Sequence, residues 1–521
     1  DELTHCWDES FEINDMEVNN GGLRLENVTM LAHGKITINH PTIWEKSSIF
    51  HNSSSNEDHI LLQSQLTIKG TNLTINAPEY VYSGSDVQGI KLGTNSKLII
   101  TDIDNNYKTQ HDASNISSMN WNTSDVYQGG IEFVGTGDDE LVVIKNSIMW
   151  HISQISTYSH NTIISNNTFY KCAKLQQSWG DNLTFENNYI YNTTYDVTMR
   201  YWGSNATIVN NYVEENRGAF HLVDSHNGLV MNNTFVNITG AHSSLGSWGN
   251  SRNITWVGNT MNNVENYGFT LYGSEDSIII NNSFYKVADS ILAGGENITI
   301  TGNVMDDCGW DYSFEYVGGC ITIASNYSPG NITVYNNTMV NAKDVGIIIG
   351  SSSSAWSNIT IYDNHVEDSL YGLLMTTYAS LSERPSNVSI FENSFKNHER
   401  GIGVSRSYEA KGGNNIQIHN NQITNSTRGI TYFGTTLTYK NLTIKDNFIQ
   451  TNETGIYIDD VDGISILEND INSGTCVSMI DTKDFLISLN NLKAKESGVE
   501  LFSSDGNLTR NEINGNCNDD E

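Results

Sequence analysis

An Asn-Asn pair set between two short runs of alternating apolar residues recurs through most of the chain. The stretch Asn182-Leu-Thr-Phe-Glu-Asn-Asn188-Tyr-Ile-Tyr-Asn192 shows the unit in full. The second Asn aligns at Asn146, Asn167, Asn188, Asn211, Asn233, Asn259, Asn282 and Asn303. It returns at Asn337, Asn364, Asn393, Asn421, Asn447, Asn469, Asn491 and Asn511. Most intervals are roughly 20 to 29 residues, the range of a solenoid in which each coil contacts only its neighbours. The longer interval from Asn303 to Asn337 implies an inserted loop. A sharp bend between strands needs φ > 0, which Asn tolerates better than any residue but Gly. Asn side chains stacked from coil to coil can then hydrogen-bond to one another, as in cross-β ladders.

The run before each pair alternates as a strand does, with Leu183 and Phe185 inward and Thr184 and Glu186 outward. Continued down the chain, the alternation predicts inward rows at Ile208, Met231, Ile280, Ile300, Ile361, Ile390, Ile418 and Ile444. A second strand signal precedes it in many units, as in Gly346-Ile-Ile-Ile349, Gly372-Leu-Leu-Met375 and Gly429-Ile-Thr-Tyr432. One coil therefore reads as strand, loop, strand, Asn bend, strand. This pattern, G-I-x-I followed by N-x-T-I-x-N-N, resembles the right-handed parallel β-helix of pectate-lyase type. The resemblance is clear over Leu141 to Ile513 and looser over Leu23 to Asp104. It implies an all-β, single-stranded right-handed parallel β-helix with an asparagine ladder. It does not fix a function, because the scaffold hosts lyases, hydrolases, adhesins, spikes and structural surface proteins.

The chain has 521 residues, 60 acidic against 27 basic, for a formal net charge of −33. Phosphate-directed nucleic-acid binding needs clustered Lys and Arg, so that class is excluded. No apolar run approaches the length of a membrane span. Pro is scarce at 4, as a stack of ladder-forming strands requires. Roughly two dozen N-x-S/T sequons occur, among them Asn27, Asn72, Asn182, Asn253, Asn297, Asn358, Asn441 and Asn507. They mark candidates for N-linked glycans, although the repeat itself places Thr two residues beyond Asn. The chain opens at Asp1 without a targeting segment, and we read it as the mature form of an exported, extracellular or cell-surface protein.

Of six cysteines, Cys308 and Cys320 flank the inserted loop and are the best intrachain pair; Cys476 with Cys517 is the second choice. Residues 1–60 are expected as an irregular N-terminal cap with the first strands, read at 21–30 and 34–38, 61–513 as the β-helix and 514–521 as an acidic tail. Asn106 to Gly129, Ser351 to Ser357 and Thr377 to Ser386 are expected as projecting loops. Free strand edges at a stack's ends invite head-to-tail polymerisation, with residues 1–60 meeting 498–521 of the next copy and Cys6 able to bond Cys517.

Three readings of function stay open. The first is a non-enzymatic, glycosylated surface rod of structural or adhesive character. The second is a secreted lyase of uronic-acid polymers, which needs a cation for the carboxylate and a base for the α-proton. Counting from the ladder sets Lys174, Arg200 and His221 outward on one strand face. Met199-Arg200-Tyr-Trp-Gly203 resembles the arginine segment of the chondroitinase and alginate-lyase β-helix family, with Arg-Tyr-Trp-Gly in place of Arg-His-Gly. The resemblance implies Arg200 as the carboxylate clamp. The third is a carbohydrate-binding adhesin or virus spike. No cofactor is expected beyond weak Ca²⁺ sites at Asp102 and Asp104 or at Asp459, Asp460 and Asp462, where hard oxygens cluster.

Overall fold

A computed structural model describes residues 4–520 apart from 53–59, 77–88, 93–96, 102–109, 113–129, 134–140, 151–153, 158–159, 173, 179, 194–198, 219, 240–244, 310–317, 324–329, 352–356, 378–385, 407–413 and 434–439. The chain divides into two compact units, Asp1–Ser244 and Leu245–Glu521. Each is an all-β parallel solenoid. In the first unit a coil is built from Leu183–Glu186, Tyr189–Tyr191 and Met199–Tyr201. Each of these pairs in parallel with the equivalent strand of the next coil, at Thr207–Val209, Tyr212–Glu214 and Phe220–Val223. The second unit repeats the scheme, and there the strand after the Asn bend often runs on through the next corner, as in His365–Thr377 and Ser394–Arg406.

Apolar residues of the strand before the bend stack in register. Ile144, Ile164, Phe185, Ile208 and Val230 pair in successive coils and are fully buried. Phe185, Phe220 and Phe235 fill the interior by edge-to-face contacts with centroids 5.6 and 5.4 Å apart. Two expected members differ. Met231 and Ile280 are half-exposed, and Val230 and Ile279 take the inward places. The inward residue lies three before the ladder Asn, and an apolar side chain two before it mimics that position.

The bend separates two roles that the sequence places on one residue. The first member of each pair takes the left-handed conformation, as at Asn187 (φ 53°), Asn281 (φ 53°) and Asn336 (φ 53°). The second member is buried and forms the ladder. Asn188 donates from its backbone N and its Nδ2 to Asn211 Oδ1, both at 3.0 Å, and from Nδ2 to Ile164 O at 2.9 Å. The same three bonds recur at Asn337, Asn364, Asn393, Asn421 and Asn447. At two places the ladder residue is a neighbour of the expected one. Ser147, not Asn146 (φ 50°), accepts the role in one coil, and Asn490, not Asn491, in another. In both, the position is set by burial rather than by the pair.

The glycine that opens each G-I-x-I strand sits where the chain turns back onto the core. A Cβ at Gly372 would lie 2.5 Å from Phe395 Cδ1 and 2.6 Å from Gly401 O. The first strands expected within residues 1–60 are present at Leu23–Glu26, Thr29–Ala32 and Ile36–Ile38. Thr4–Trp7 already pairs in register with Leu23–Glu26, and that strand with Thr42–Glu45. Hydroxyls replace Asn here, since Val28 N donates to Ser47 Oγ and Ser47 N to Thr71 Oγ1. The expected acidic tail is likewise a strand: Glu512–Asp520 pairs with Asn491–Phe502, setting Cys517 beside Val499. Gln110–Asp112 is a strand inside the first expected loop, whose remainder lies outside the described residues, as does most of the other two.

Candidate functional site

In a solenoid, groups from different coils can meet only where they occupy one column of a sheet, since strands lie about 4.8 Å apart. The candidate column is the outer face of the sheet formed by Lys174–Ser178, Met199–Tyr201 and Phe220–Val223. Arg200 pairs in register with Gln177 on one side and His221 on the other. Met199 and Tyr201 point into the core, so alternation turns Arg200 outward, where it is half-buried. Its guanidinium carbon lies 5.7 Å from the centroid of the Trp202 ring, a cation–π distance. Tyr201 donates from its hydroxyl to Ser204 O at 2.8 Å, and burial pushes its phenol well above the usual range. A Cβ at Gly203 would meet Gly180 O at 2.3 Å, which is why Gly follows Trp202.

The column brings Arg200 and His221 together and leaves Lys174 apart. Lys174 is aligned with Gln154, three residues before Gln177, and its side chain lies outside the described residues. His221 is only 1% exposed. The geometry therefore offers one half-exposed cation beside a sequestered imidazole.

In the second unit the matching column runs through Thr270, Leu292, Thr322, Ile348, Leu374, Gly403, Thr431, Tyr457, Ser478 and Glu500. Glu500 alone of these is charged, and Ile348 and Leu374, both outward by register, are buried in one cluster with Val345 against Tyr371. Beside them Arg400 donates to Tyr371 Oη at 2.9 Å and lies between the Tyr371 and Phe433 rings, 5.3 and 5.4 Å from their centroids. His365, Glu367 and Lys396 form a half-exposed polar trio on the neighbouring sheet, where hydrogen bonding from Lys396 lowers the Glu367 carboxyl below its usual range. Sequence reasoning missed this trio, though Glu367 and Lys396 each lie three residues past a ladder Asn.

His398 is buried beside that sheet. Nε2 lies 3.1 Å from Val366 O and Nδ1 2.9 Å from Ser369 Oγ, and burial lowers its pKa to about 4. Tyr335, Tyr362, Phe391 and His419 stack in consecutive coils with centroids 4.9, 5.1 and 5.0 Å apart and rings within 3° of parallel. Their faces are consumed by one another, so the column stiffens the sheet rather than offering a platform to a sugar.

The remaining candidates resolve as follows. Cys308 and Cys320 form a disulfide with Cα atoms 5.2 Å apart. Cys476 is a free, buried thiol directed at Ile471 O, so the pairing with Cys517 is corrected. Cys517 aligns with Val499, and Val499 with Val477, which sets the two cysteines two coils apart, about 10 Å and beyond disulfide reach. Cys6 is free and half-buried. Asp102 and Asp104 lie outside the described residues. Asp460 sits at a bend (φ 57°), and the backbone of Asp462 forms an isolated parallel β-bridge with that of Lys483. Among the described residues no three His, Cys, Asp or Glu side chains converge to hold a metal ion. Asn27, Asn72, Asn182, Asn253, Asn297, Asn358, Asn441 and Asn507 are all exposed.

Comparison with known proteins places these features. The family described as "Right handed beta helix region" matches residues 103–250 and 202–366, together just over half of the chain. "Periplasmic copper-binding protein (NosD)" matches residues 375–519. The described side chains of that segment bring no ligand set together for copper: His398 is bonded to backbone and Ser369, Cys476 faces Ile471 O, and no three His, Cys, Asp or Glu groups converge among the described residues. No curated protein matches the chain. Among solved structures, the catalytic domain of a GH87 α-1,3-glucanase in complex with nigerose is similar at 14% identity and a TM-score of 0.34 over 74% of this chain, which spans 60% of that domain. PfbA, a surface adhesin of Streptococcus pneumoniae, is similar at 12% identity and a TM-score of 0.34, with 73% of this chain and 85% of that one covered. The PL6 family alginate lyase AlyGC is similar at 10% identity and a TM-score of 0.31, with 99% and 97% covered.

Proposed function

The chain belongs to the right-handed β-helix family, and we propose that it serves on that scaffold as a non-enzymatic structural or adhesive element on the outer side of a cell membrane. One observation carries the reading. In the second unit, the column on which groups from successive coils could converge is built of glycine, hydroxyl and apolar residues from Thr270 to Ser478 and holds a single carboxylate, Glu500, with Ile348 and Leu374 packed away from solvent. The coils are spent on cohesion instead: a buried amide ladder, a parallel aromatic column and the half-exposed Glu367–Lys396 ion pair between neighbours. The periplasmic name of the partial family match and the strongly acidic composition support an exported location.

End-to-end self-association is part of the proposal, with residues 1–60 of one copy meeting 498–521 of the next. Trp7 at 59% exposure and Leu508 at 40% supply apolar surface for it. Cys6–Cys517 bonding between copies would reinforce the joint. Labelling intact cells with an antibody against the folded chain tests the location. Surface signal, or release with the periplasmic fraction on osmotic shock, is expected; protein found only in the cytosolic fraction overturns the reading.

A second reading, cleavage of a uronic-acid polymer, is favoured by one observation, the register pairing of Arg200 with His221. If it holds, the chain releases unsaturated uronate products, and Arg200→Ala abolishes them by removing the carboxylate clamp. A wild-type chain that yields no such product from acidic polysaccharides removes this reading.

A further inference from the structure

We infer that the corner carrying Asn297, Asn331, Asn358 and Asn387 is an acceptor edge for N-linked glycans. The inference rests on the exported location proposed above. All four residues are exposed and left-handed, with φ between 52° and 56°. Each is followed two residues on by an outward hydroxyl, at Thr299, Thr333, Thr360 and Ser389, and these four pair in register. Four complete sequons are thus presented in consecutive coils, about 4.8 Å apart.

The coil does not demand this hydroxyl. Where the same corner is Asp, at Asp276 and Asp484, the residue two on is apolar, Ile278 and Leu486. Where it is Asn415, that residue is Gln417. The outward position accepts apolar and amide side chains alike, yet Thr or Ser accompanies Asn at these four coils and again at Asn182, Asn205, Asn253 and Asn441. Backbone geometry accounts for the Asn, since the left-handed bend selects it. It does not account for the hydroxyl.

The amides are also arranged to survive modification. Asn331 Nδ2 donates to Asn297 Oδ1 at 3.1 Å, Asn358 Nδ2 to Asn331 Oδ1 at 3.0 Å, and Asn387 Nδ2 to Asn358 Oδ1 at 3.0 Å. Each bond uses one of two N–H groups. In the coupling step, a transferase joins Nδ2 to the anomeric carbon of a sugar activated as a lipid-linked phosphate ester. The N–C bond forms, the C–O bond breaks with its electron pair leaving on the phosphate, and one Nδ2 proton passes to a base of the transferase. One N–H remains, enough for the bond to the preceding coil. Occupied neighbours would then form a continuous carbohydrate seam along the corner.

Glycopeptide mass spectrometry of the full chain, recovered from the surface of its own cells, tests this. Glycan mass is expected on peptides holding Asn297, Asn331, Asn358 and Asn387. Thr360→Val keeps the corner and its amide bonds, removes one sequon, and is expected to lose the glycan at Asn358 alone; Thr360→Ser is expected to retain it. Unmodified peptides from surface-exposed protein overturn the acceptor edge and leave the proposed function standing, as does glycan persisting at Asn358 in Thr360→Val. Protein found only inside the cell overturns both.

Discussion

Replacing Asn282 by Val tests the ladder at one rung. Asn282 is 1% exposed and in the second unit sits between Asn259 and Asn303. Its Oδ1 accepts from Asn259 N at 2.8 Å and Asn259 Nδ2 at 2.9 Å. Its Nδ2 donates to Trp256 O at 3.0 Å and Asn303 Oδ1 at 3.0 Å. Val is similar in volume, so no cavity term is added. Asn303 Oδ1 keeps the bond from the backbone N of residue 282 at 2.9 Å. Two buried donors of Asn259 lose this acceptor, at about 1–3 kcal/mol each, and partial relaxation brings the expected loss to about 2–4 kcal/mol. Strain contributes nothing, because the left-handed residue is Asn281. Long repeat arrays need not unfold in one step, so local amide exchange is the cleaner assay. A loss of about 3 kcal/mol should speed exchange at Asn259 about a hundredfold, at about 1.4 kcal/mol per tenfold. Asn281→Gly, at the exposed member of the same pair, should change stability by less than about 1 kcal/mol. Unchanged exchange in Asn282→Val, or equal effects of the two substitutions, would refute the division of roles.

Three more outcomes follow. Reducing Cys308–Cys320, which are separated by 12 positions, should cost about 3 kcal/mol by loop-closure entropy, seen as a lower melting temperature in reductant. His398 has a folded pKa of about 4 against an ordinary value of 6.5. Its contribution is therefore complete above about pH 6.5 and is lost as pH falls towards 4, up to about 3 kcal/mol; acid titration of His398→Gln should lack that portion of the decline. Gly372→Ala should destabilise by about 1–3 kcal/mol in urea titration, since its Cβ would press on Phe395 and on backbone, and an unchanged midpoint would show that the corner can open.

The fold was legible because each coil repeats a local requirement. A left-handed bend selects Asn, a close approach selects Gly, and alternation marks the core, so period and direction follow from the chain. The first coils were legible only loosely because Ser47 and Thr71 perform there what Asn does later, and hydroxyls leave no comparable period. Met231 and Ile280 misled because folded chains leave some apolar side chains on their outer faces, and here these sit one position from the inward residue. At the candidate site, counting from the ladder put Arg200 beside His221. It could not show that His221 is buried, because burial depends on what other segments lie over the face. Cys476 and Cys517 looked bondable until the register separated them by two coils.

Imaging of native material by negative-stain electron microscopy, with mass measurement of the same sample, tests the central claim most directly. Protein released gently from the cell surface is expected as end-to-end assemblies that show no turnover of polysaccharide. A monodisperse monomer that depolymerises a polysaccharide would contradict the structural role.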